Sequence, residues 1–206
     1  EFRRVLFRSE NNYVNQFWIL MPCKCFGLLM EKQLMEAELH YYHCLGLSYS
    51  IGNALAAKID GKNHHIYTVI GDGESDEGQV WEGAMAAAKY KVDNMTVILD
   101  RNFIQQDSYT EKIMPLDEEL VGNDLSEMWK DASRWKTGDK WRSFGWNVLE
   151  IDGHRIEQID SALSKALKAK GVPTIIIART IKGKSVEHME DNPKWHGQAA
   201  KPEIAP

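Results

Sequence analysis

Beyond Gly46 the chain falls into alternating helical and strand-like blocks. Small and apolar residues recur at helical spacing from Leu47 to Lys58, and Asp60-Gly61-Lys62 supplies the stop. His65-Ile-Tyr-Thr-Val-Ile70 is a short β-branched, apolar run ending at Gly71, which predicts a buried strand. Glu77 to Tyr90, with Val80, Trp81, Ala84, Ala87 and Ala88, reads as a helix whose small residues permit close packing. Met95 to Leu99 is the next predicted strand. A polar loop follows, then a Trp-rich, charged helical region from about Asp124 to Phe144. Asn147 to Ile151 is a third strand, Ile156 to Ala169 an amphipathic helix, and Pro173 to Ala178 a fourth strand.

Strands that are almost uniformly apolar and alternate with helices predict an α/β fold: an open, mostly parallel sheet with helices on both faces. In such sheets ligands bind beyond the carboxyl ends of the strands, so functional residues should follow Ile70, Leu99, Ile151 and Ala178. Residues 1–38 do not share the pattern. Their aromatics, prolines and arginines show neither period, and they read as an atypical segment, vector-derived, frame-shifted or disordered, ahead of a domain spanning 39–206. Regular structure is expected to begin between Glu36 and Leu47.

Composition narrows the class. The 206 residues suffice for one domain with a single core, and 43% apolar with 27% charged residues is ordinary for a globular chain. A net charge of −5 argues against a nucleic-acid footprint, although a few local donors and a metal can still hold a phosphate. Cys23, Cys25 and Cys44 form neither a disulfide framework nor a metal-ligand spacing. The apolar stretch from Phe17 to Met30 is broken by Pro22 and Lys24 and is too short to span a bilayer. Arg3, Arg4 and Arg8 precede it as in a secretory signal, but no small-residue cleavage site follows, so a cytoplasmic location without membrane partners is expected.

The candidate chemistry follows the first two strands. Gly71-Asp72-Gly73-Glu74 stands at a strand end, where glycine permits a sharp turn and Asp72 offers an oxygen to a hard cation. Alone, such a Gly-Asp-Gly is usually a tight turn. A second polar cluster, Asp100-Arg101-Asn102-Phe103-Ile104, follows the next strand, with Asn102 thirty positions after Asp72. Ends of adjacent parallel strands lie about 5 Å apart, so Asp72 and Asn102 can reach one ion. One carboxylate, one amide oxygen and one backbone carbonyl leave about three octahedral positions open, which suits magnesium carrying phosphate and water ligands. The helix starting near Gly78 would turn its positive end toward the same phosphates.

These elements resemble the thiamine-diphosphate-binding motif. The likeness extends to the N-terminal, diphosphate-binding half of transketolases through Leu47 to Lys58, Gly71 to Asp107, Phe144 to Gly153, Thr180 to Val186 and Met189 to Gly197. It covers roughly residues 46–198, with an insertion-like stretch from about Glu118 to Lys140. The resemblance implies thiamine diphosphate and Mg2+ as cofactors, the metal held by Asp72 and Asn102 side chains and the Ile104 carbonyl. It places Gly71, Gly73 and Glu74 beside the diphosphate, gives His196 a catalytic and cofactor-binding role, and sets Glu77 and Glu82 at a subunit interface. Without it, Glu77 and Glu82 read as exposed helix residues and His196 as a tail residue. His154, His64 and His65 read as turn residues, and Trp129, Trp135 and Trp141 as packing.

Two departures stand out. Of the glycine-rich stretch that lines the cofactor in the family, only Gly46-Leu47-Ser48 fits, and His40 and His43 do not match the histidines that hold substrate. Gln106 stands where an apolar residue usually packs against the thiazolium ring. The resemblance further implies a partner, because the glutamate that activates the cofactor comes from a pyrimidine-binding domain, and none is expected after Pro206. The expected activity is therefore that of the N-terminal subunit of a split transketolase, moving a two-carbon ketol unit between sugar phosphates in a hetero-oligomer or dimer. Two alternatives are the α-subunit of a 2-oxo acid dehydrogenase, which lacks the stretch from Thr180 to His196, and a catalytically silent truncated subunit.

Overall fold

The structure, a computed structural model, describes residues 19–20, 45–118 and 131–196. Its centre is a five-stranded, wholly parallel sheet in the order β1-β2-β3-β5-β4. The strands are β1 (Ile19–Leu20), β2 (Ile66–Gly71), β3 (Met95–Arg101), β4 (Asn147–Asp152) and β5 (Thr174–Arg179). The helices are α1 (Gly46–Ile59), α2 (Asp72–Ser75), α3 (Gly78–Lys89), α4 (Thr110–Ile113), α5 (Thr137–Ser143) and α6 (Ile156–Ala166). Short 3-10 turns lie at Ala132–Arg134 and Pro193–Trp195.

Strand periodicity sorts the side chains onto two faces. Ile66, Ile70, Val97, Leu99, Ile175 and Ile177 point to one, where α1, α3 and the indoles of Trp141 and Trp146 cover them. Ile98, Ile176 and Ala178 point to the other, under Ala162 and Ala166 of α6. The expected helices on both faces are thus present. Small residues bring α1 and α3 together: a Cβ on Gly83 would lie 3.3 Å from Ile51 Cδ1 and 3.4 Å from Leu47 Cδ2. Trp146 ties the same layer by donating its indole N–H to the Ala84 carbonyl at 2.9 Å. Ile70, Leu99 and Ile177 are fully buried, and truncating any of them to alanine costs about 2–5 kcal/mol.

Three expectations change. β3 runs two residues past Leu99, because Asp100 and Arg101 stay in register with Ala178 and Arg179. The region from Asp124 to Phe144 is not one helix. Its described part holds a 3-10 turn and the seven-residue α5, while 119–130, including Trp129, lies outside the described residues. Ordered pairing also begins earlier than Glu36, since Ile19–Leu20 pair with Tyr67 and Thr68 at the sheet edge. The rest of the N-terminal segment, with its cysteines and with His40 and His43, lies outside the described residues. No described helix is long and apolar enough to cross a membrane.

Candidate functional site

Polar residues converge beyond the carboxyl ends of β2, β3 and β5. β2 ends at Gly71, whose extended backbone hands the chain to the four-residue α2. Asp72 opens that turn and is almost wholly buried, at 1% exposure. Its Oδ1 accepts from Arg101 Nη1 at 2.9 Å, while Oδ2 is buried without a hydrogen-bond partner. Arg101 Nη2 also donates to Asp117 Oδ2 at 3.0 Å and to Glu111. Arg179, beside Arg101 in the β3–β5 register, donates to the same Asp117 oxygen at 3.1 Å.

Charge in this cluster does not balance. Two buried guanidiniums, Arg101 and Arg179, face three buried carboxylates, Asp72, Glu111 and Asp117. Asp117 is well compensated. Burial pushes its carboxyl up, but the two arginines and the bonds from Thr137 outweigh that and hold it far below the usual carboxylate range. Asp72 is under-compensated, and burial lifts its pKa to about 7 against the pull of Arg101. Burial raises Glu111 as well, but both of its oxygens are bonded, so Asp72 is the under-compensated carboxylate that keeps an unpartnered oxygen. A divalent cation at Oδ2 would relieve both defects.

The next loop offers further oxygens. Asn102 Oδ1 accepts from the Ile104 N–H at 3.0 Å, and its amide group donates to Asp100 Oδ2 at 3.2 Å. An amide oxygen accepts two bonds, so one lone pair of Oδ1 is left for a ligand. Phe103 makes this turn with φ of 63°, the left-handed region that a bulky residue seldom adopts. The strain is held by the Phe103 carbonyl, which accepts from Thr110 N–H at 2.9 Å, and by Arg101 stacked 4.1 Å from the ring centre. Among the described residues no three His, Cys, Asp or Glu side chains gather as a metal cluster. A cation here would rely on Asp72, an amide and a carbonyl, and such hard oxygen donors fit magnesium.

Around Asp72 other polar atoms also lack partners. Glu74 Oε2 reaches back to the Gly71 N–H at 3.4 Å, but Oε1 is buried alone, and burial raises the pKa of this carboxyl to about 8. Gly73 lies under Gln105, where an added Cβ would sit 3.0 Å from the glutamine Cβ and Oε1. Gln105 is thus the residue packed on the Gly-Asp-Gly turn, and Gln106 is exposed. His196 follows the 3-10 turn Pro193–Trp195 and is half-buried, with Nδ1 unpartnered and its pKa lowered by burial and by Lys182. Its loop is tied to the β3–α4 loop by the Tyr109 hydroxyl, which donates to the Asp191 carbonyl at 3.1 Å. Leaving a buried polar atom unpaired costs about 1–3 kcal/mol, so their concentration at one end of the sheet marks a place built for a ligand.

The remaining predicted positions are more ordinary. Glu77 stands at the N-terminal boundary of α3 without a side-chain capping bond and accepts weakly from Gln79 Nε2 at 3.5 Å, and Glu82 is an exposed residue of that helix. His154 Nε2 accepts from the Ile181 N–H at 2.7 Å and finishes a strand turn, as expected. Trp141 packs in the core, whereas Trp135 stacks 3.7 Å from the Arg179 guanidinium. Arg101, Arg179 and Phe103 carry no such reading in the sequence. Arginines at the ends of two apolar runs are the one signal, and it becomes informative only with the register.

Comparison with known proteins adds an independent line. Residues 52–205 match the family described as "Transketolase, thiamine diphosphate binding domain". A 6-deoxy-6-sulfo-D-fructose transketolase subunit, SqwG, from Clostridium sp. (strain MSTE9) is 42% identical over 145 residues, 70% of this chain and 46% of that protein. An apulose-4-phosphate transketolase subunit from Phocaeicola vulgatus is 37% identical over 151 residues, 73% of this chain and 47% of its own length. The chain thus spans about half the length of these curated relatives. Among solved structures, transketolase from Campylobacter jejuni superposes with a TM-score of 0.60 at 29% identity, covering 74% of this chain and 22% of that one.

Proposed function

From the premise that the chain belongs to the transketolase thiamine-diphosphate-binding-domain family, we propose that it is the N-terminal subunit of a split transketolase. It binds thiamine diphosphate with Mg2+ and, with a pyrimidine-binding partner subunit, transfers a two-carbon ketol unit between sugar phosphates. The observation that carries this reading is the unpartnered Asp72 Oδ2, buried at the carboxyl end of β2 in a cluster one positive charge short. The subunit naming of both relatives supports the need for a partner. Substrates of this class are charged sugars, which accords with a cytoplasmic enzyme.

Each residue has a task in this reading. Asp72 Oδ2, Asn102 Oδ1 and the Ile104 carbonyl hold the magnesium ion. Gly71 and Gly73 keep the backbone close to the diphosphate. Glu74, protonated at pH 7 because burial lifts it to about 8, donates a hydrogen bond there instead of repelling the phosphate. His196, whose pKa burial and Lys182 lower, presents an unpartnered nitrogen to the diphosphate or the bound sugar. When bound, thiamine diphosphate supplies a nucleophilic ring carbon for the ketose carbonyl and an electron sink for carbon–carbon cleavage. The outer faces of α1 and α3, with Tyr49, Gly52, Ala56, Gly78, Glu82 and Met85 exposed, offer small and apolar contacts for another protein chain.

The test is an assay of the chain with its pyrimidine-binding partner, offering a ketose phosphate and an aldose phosphate against pyruvate or branched 2-oxo acids. Ketol transfer is expected from the pair and none from the pure single chain. Turnover of the 2-oxo acids instead, or transfer by the single chain, overturns the assignment.

A further inference from the structure

We propose that Arg101 is a positioning residue that makes cation capture at Asp72 conditional on the diphosphate. The inference rests on the cofactor reading above and concerns an arginine to which that reading gives no task. Arg101 is fully buried and occupies one oxygen of the only carboxylate in the predicted ligand set, leaving the other free. It thereby fixes the plane of the Asp72 carboxylate and cancels much of its charge at the same time.

The guanidinium cannot swing aside. Its second terminal nitrogen is shared between Glu111 and Asp117, and its central carbon lies over the Phe103 ring, 4.1 Å from the ring centre. Asp117 is itself anchored by Arg179 and by the N–H groups of Lys136 and Thr137 at 2.7 and 2.8 Å. Glu111 accepts in turn from the Asp117 N–H at 3.0 Å. A cation on Oδ2 must therefore sit within a few ångströms of a fixed positive charge in a site shielded from water, where such repulsion is weakly screened. Magnesium sheds its hydration reluctantly, and a half-neutralised carboxylate, one amide and one carbonyl give it little in return. An anionic diphosphate arriving with the ion reverses that balance. Arg101 thus keeps the site from filling with bare metal.

Paramagnetic resonance of free Mn2+ reads the effect without any assay of turnover. The full chain is titrated with Mn2+ alone and with Mn2+ plus thiamine diphosphate, with and without the partner subunit. Wild type should bind bare Mn2+ at least tenfold more weakly than Mn2+ with thiamine diphosphate. In Arg101→Gln/Glu111→Gln, which removes the adjacent positive charge together with a carboxylate that does not touch Asp72, bare Mn2+ should bind at least tenfold tighter. Glu111→Gln alone keeps Arg101 and leaves it more fully to Asp72, so bare Mn2+ should bind no more tightly than to wild type. A folded double variant with unchanged bare affinity overturns the proposal. So does a tighter bare affinity in Glu111→Gln, a readout that stands if the double variant does not fold. If wild type with its partner fails to take Mn2+ even with thiamine diphosphate, the cofactor reading itself falls and the role of Arg101 falls with it.

Discussion

Arg101 and Arg179 end neighbouring parallel strands in register and donate to the same oxygen, Asp117 Oδ2, at 3.0 and 3.1 Å. The shared carboxylate lets two like charges sit side by side in the interior, with Asp72 and Glu111 also facing Arg101 and Glu150 facing Arg179 at 3.3 Å. The other Asp117 oxygen accepts from the Lys136 and Thr137 N–H groups and the Thr137 hydroxyl at the start of α5.

Asp117→Ala should accordingly destabilise the chain by about 3–5 kcal/mol, the usual result of stripping one partner from a buried ion pair. Asp117→Asn keeps an oxygen for the α5 N-terminus and should recover about 1 kcal/mol of that loss. Urea unfolding at pH 7 measures both, and an Asn variant no better than Ala would show that the cap contributes nothing.

Asp72 should behave in the opposite way. Its cluster carries one more buried carboxylate than guanidinium, so Asp72→Asn removes an under-compensated carboxylate without emptying the space. Stability of the cofactor-free chain should hold or rise by about 1 kcal/mol, while magnesium-dependent binding of thiamine diphosphate is lost. Calorimetry on the two-subunit complex and urea unfolding of the single chain report the two halves separately. Unchanged cofactor affinity would remove Asp72 from the site.

A pH effect is expected far from the site. His65 lies at the amino end of β2, where its Nε2 shares a hydrogen bond of 2.8 Å with Thr96 Oγ1. Burial, reinforced by Lys170 and opposed by Asp93, lowers its pKa from 6.5 to about 4. The unfolded chain thus takes up this proton before the folded chain does. The stability tied to neutral His65 is complete above pH 6.5 and is lost progressively as pH falls toward about 4. The slope is at most about 1.4 kcal/mol per pH unit. Comparing wild type with His65→Gln in urea at several pH values should flatten that limb of the curve; identical slopes would assign it to other groups.

The parts legible in the sequence are those set by local pattern. The apolar β-branched run ending at Gly71 marks β2 within one residue at its start, and the small residues of α3 announce its close approach to another element. Asp72 is legible because Gly-Asp-Gly after a buried strand signals both a turn and an oxygen donor. Arg101 and Arg179 are not, because they meet only through the pairing of strands whose ends are 78 residues apart in the chain. Nor does the sequence announce the left-handed turn at Phe103, which surrounding contacts impose on a residue that would not choose it. The helix expected up to Phe144 is cut short because Asp117 reaches across to start a separate one at Thr137.

That reach has a practical side. Thr137 N–H and Oγ1 bond Asp117 Oδ1 at 2.8 and 2.7 Å, so two positions twenty residues apart in the chain meet at one oxygen. The Lys136 N–H joins the same oxygen at 2.7 Å, so the loop is closed by three bonds at one point. Doubling the length of a loop closed in this way costs only about 0.6 kcal/mol in closure entropy. Lengthening the chain between Glu118 and Asp131 should therefore leave the strand register and the oxygens around Asp72 undisturbed, and urea unfolding of an insertion variant would measure how small the cost is.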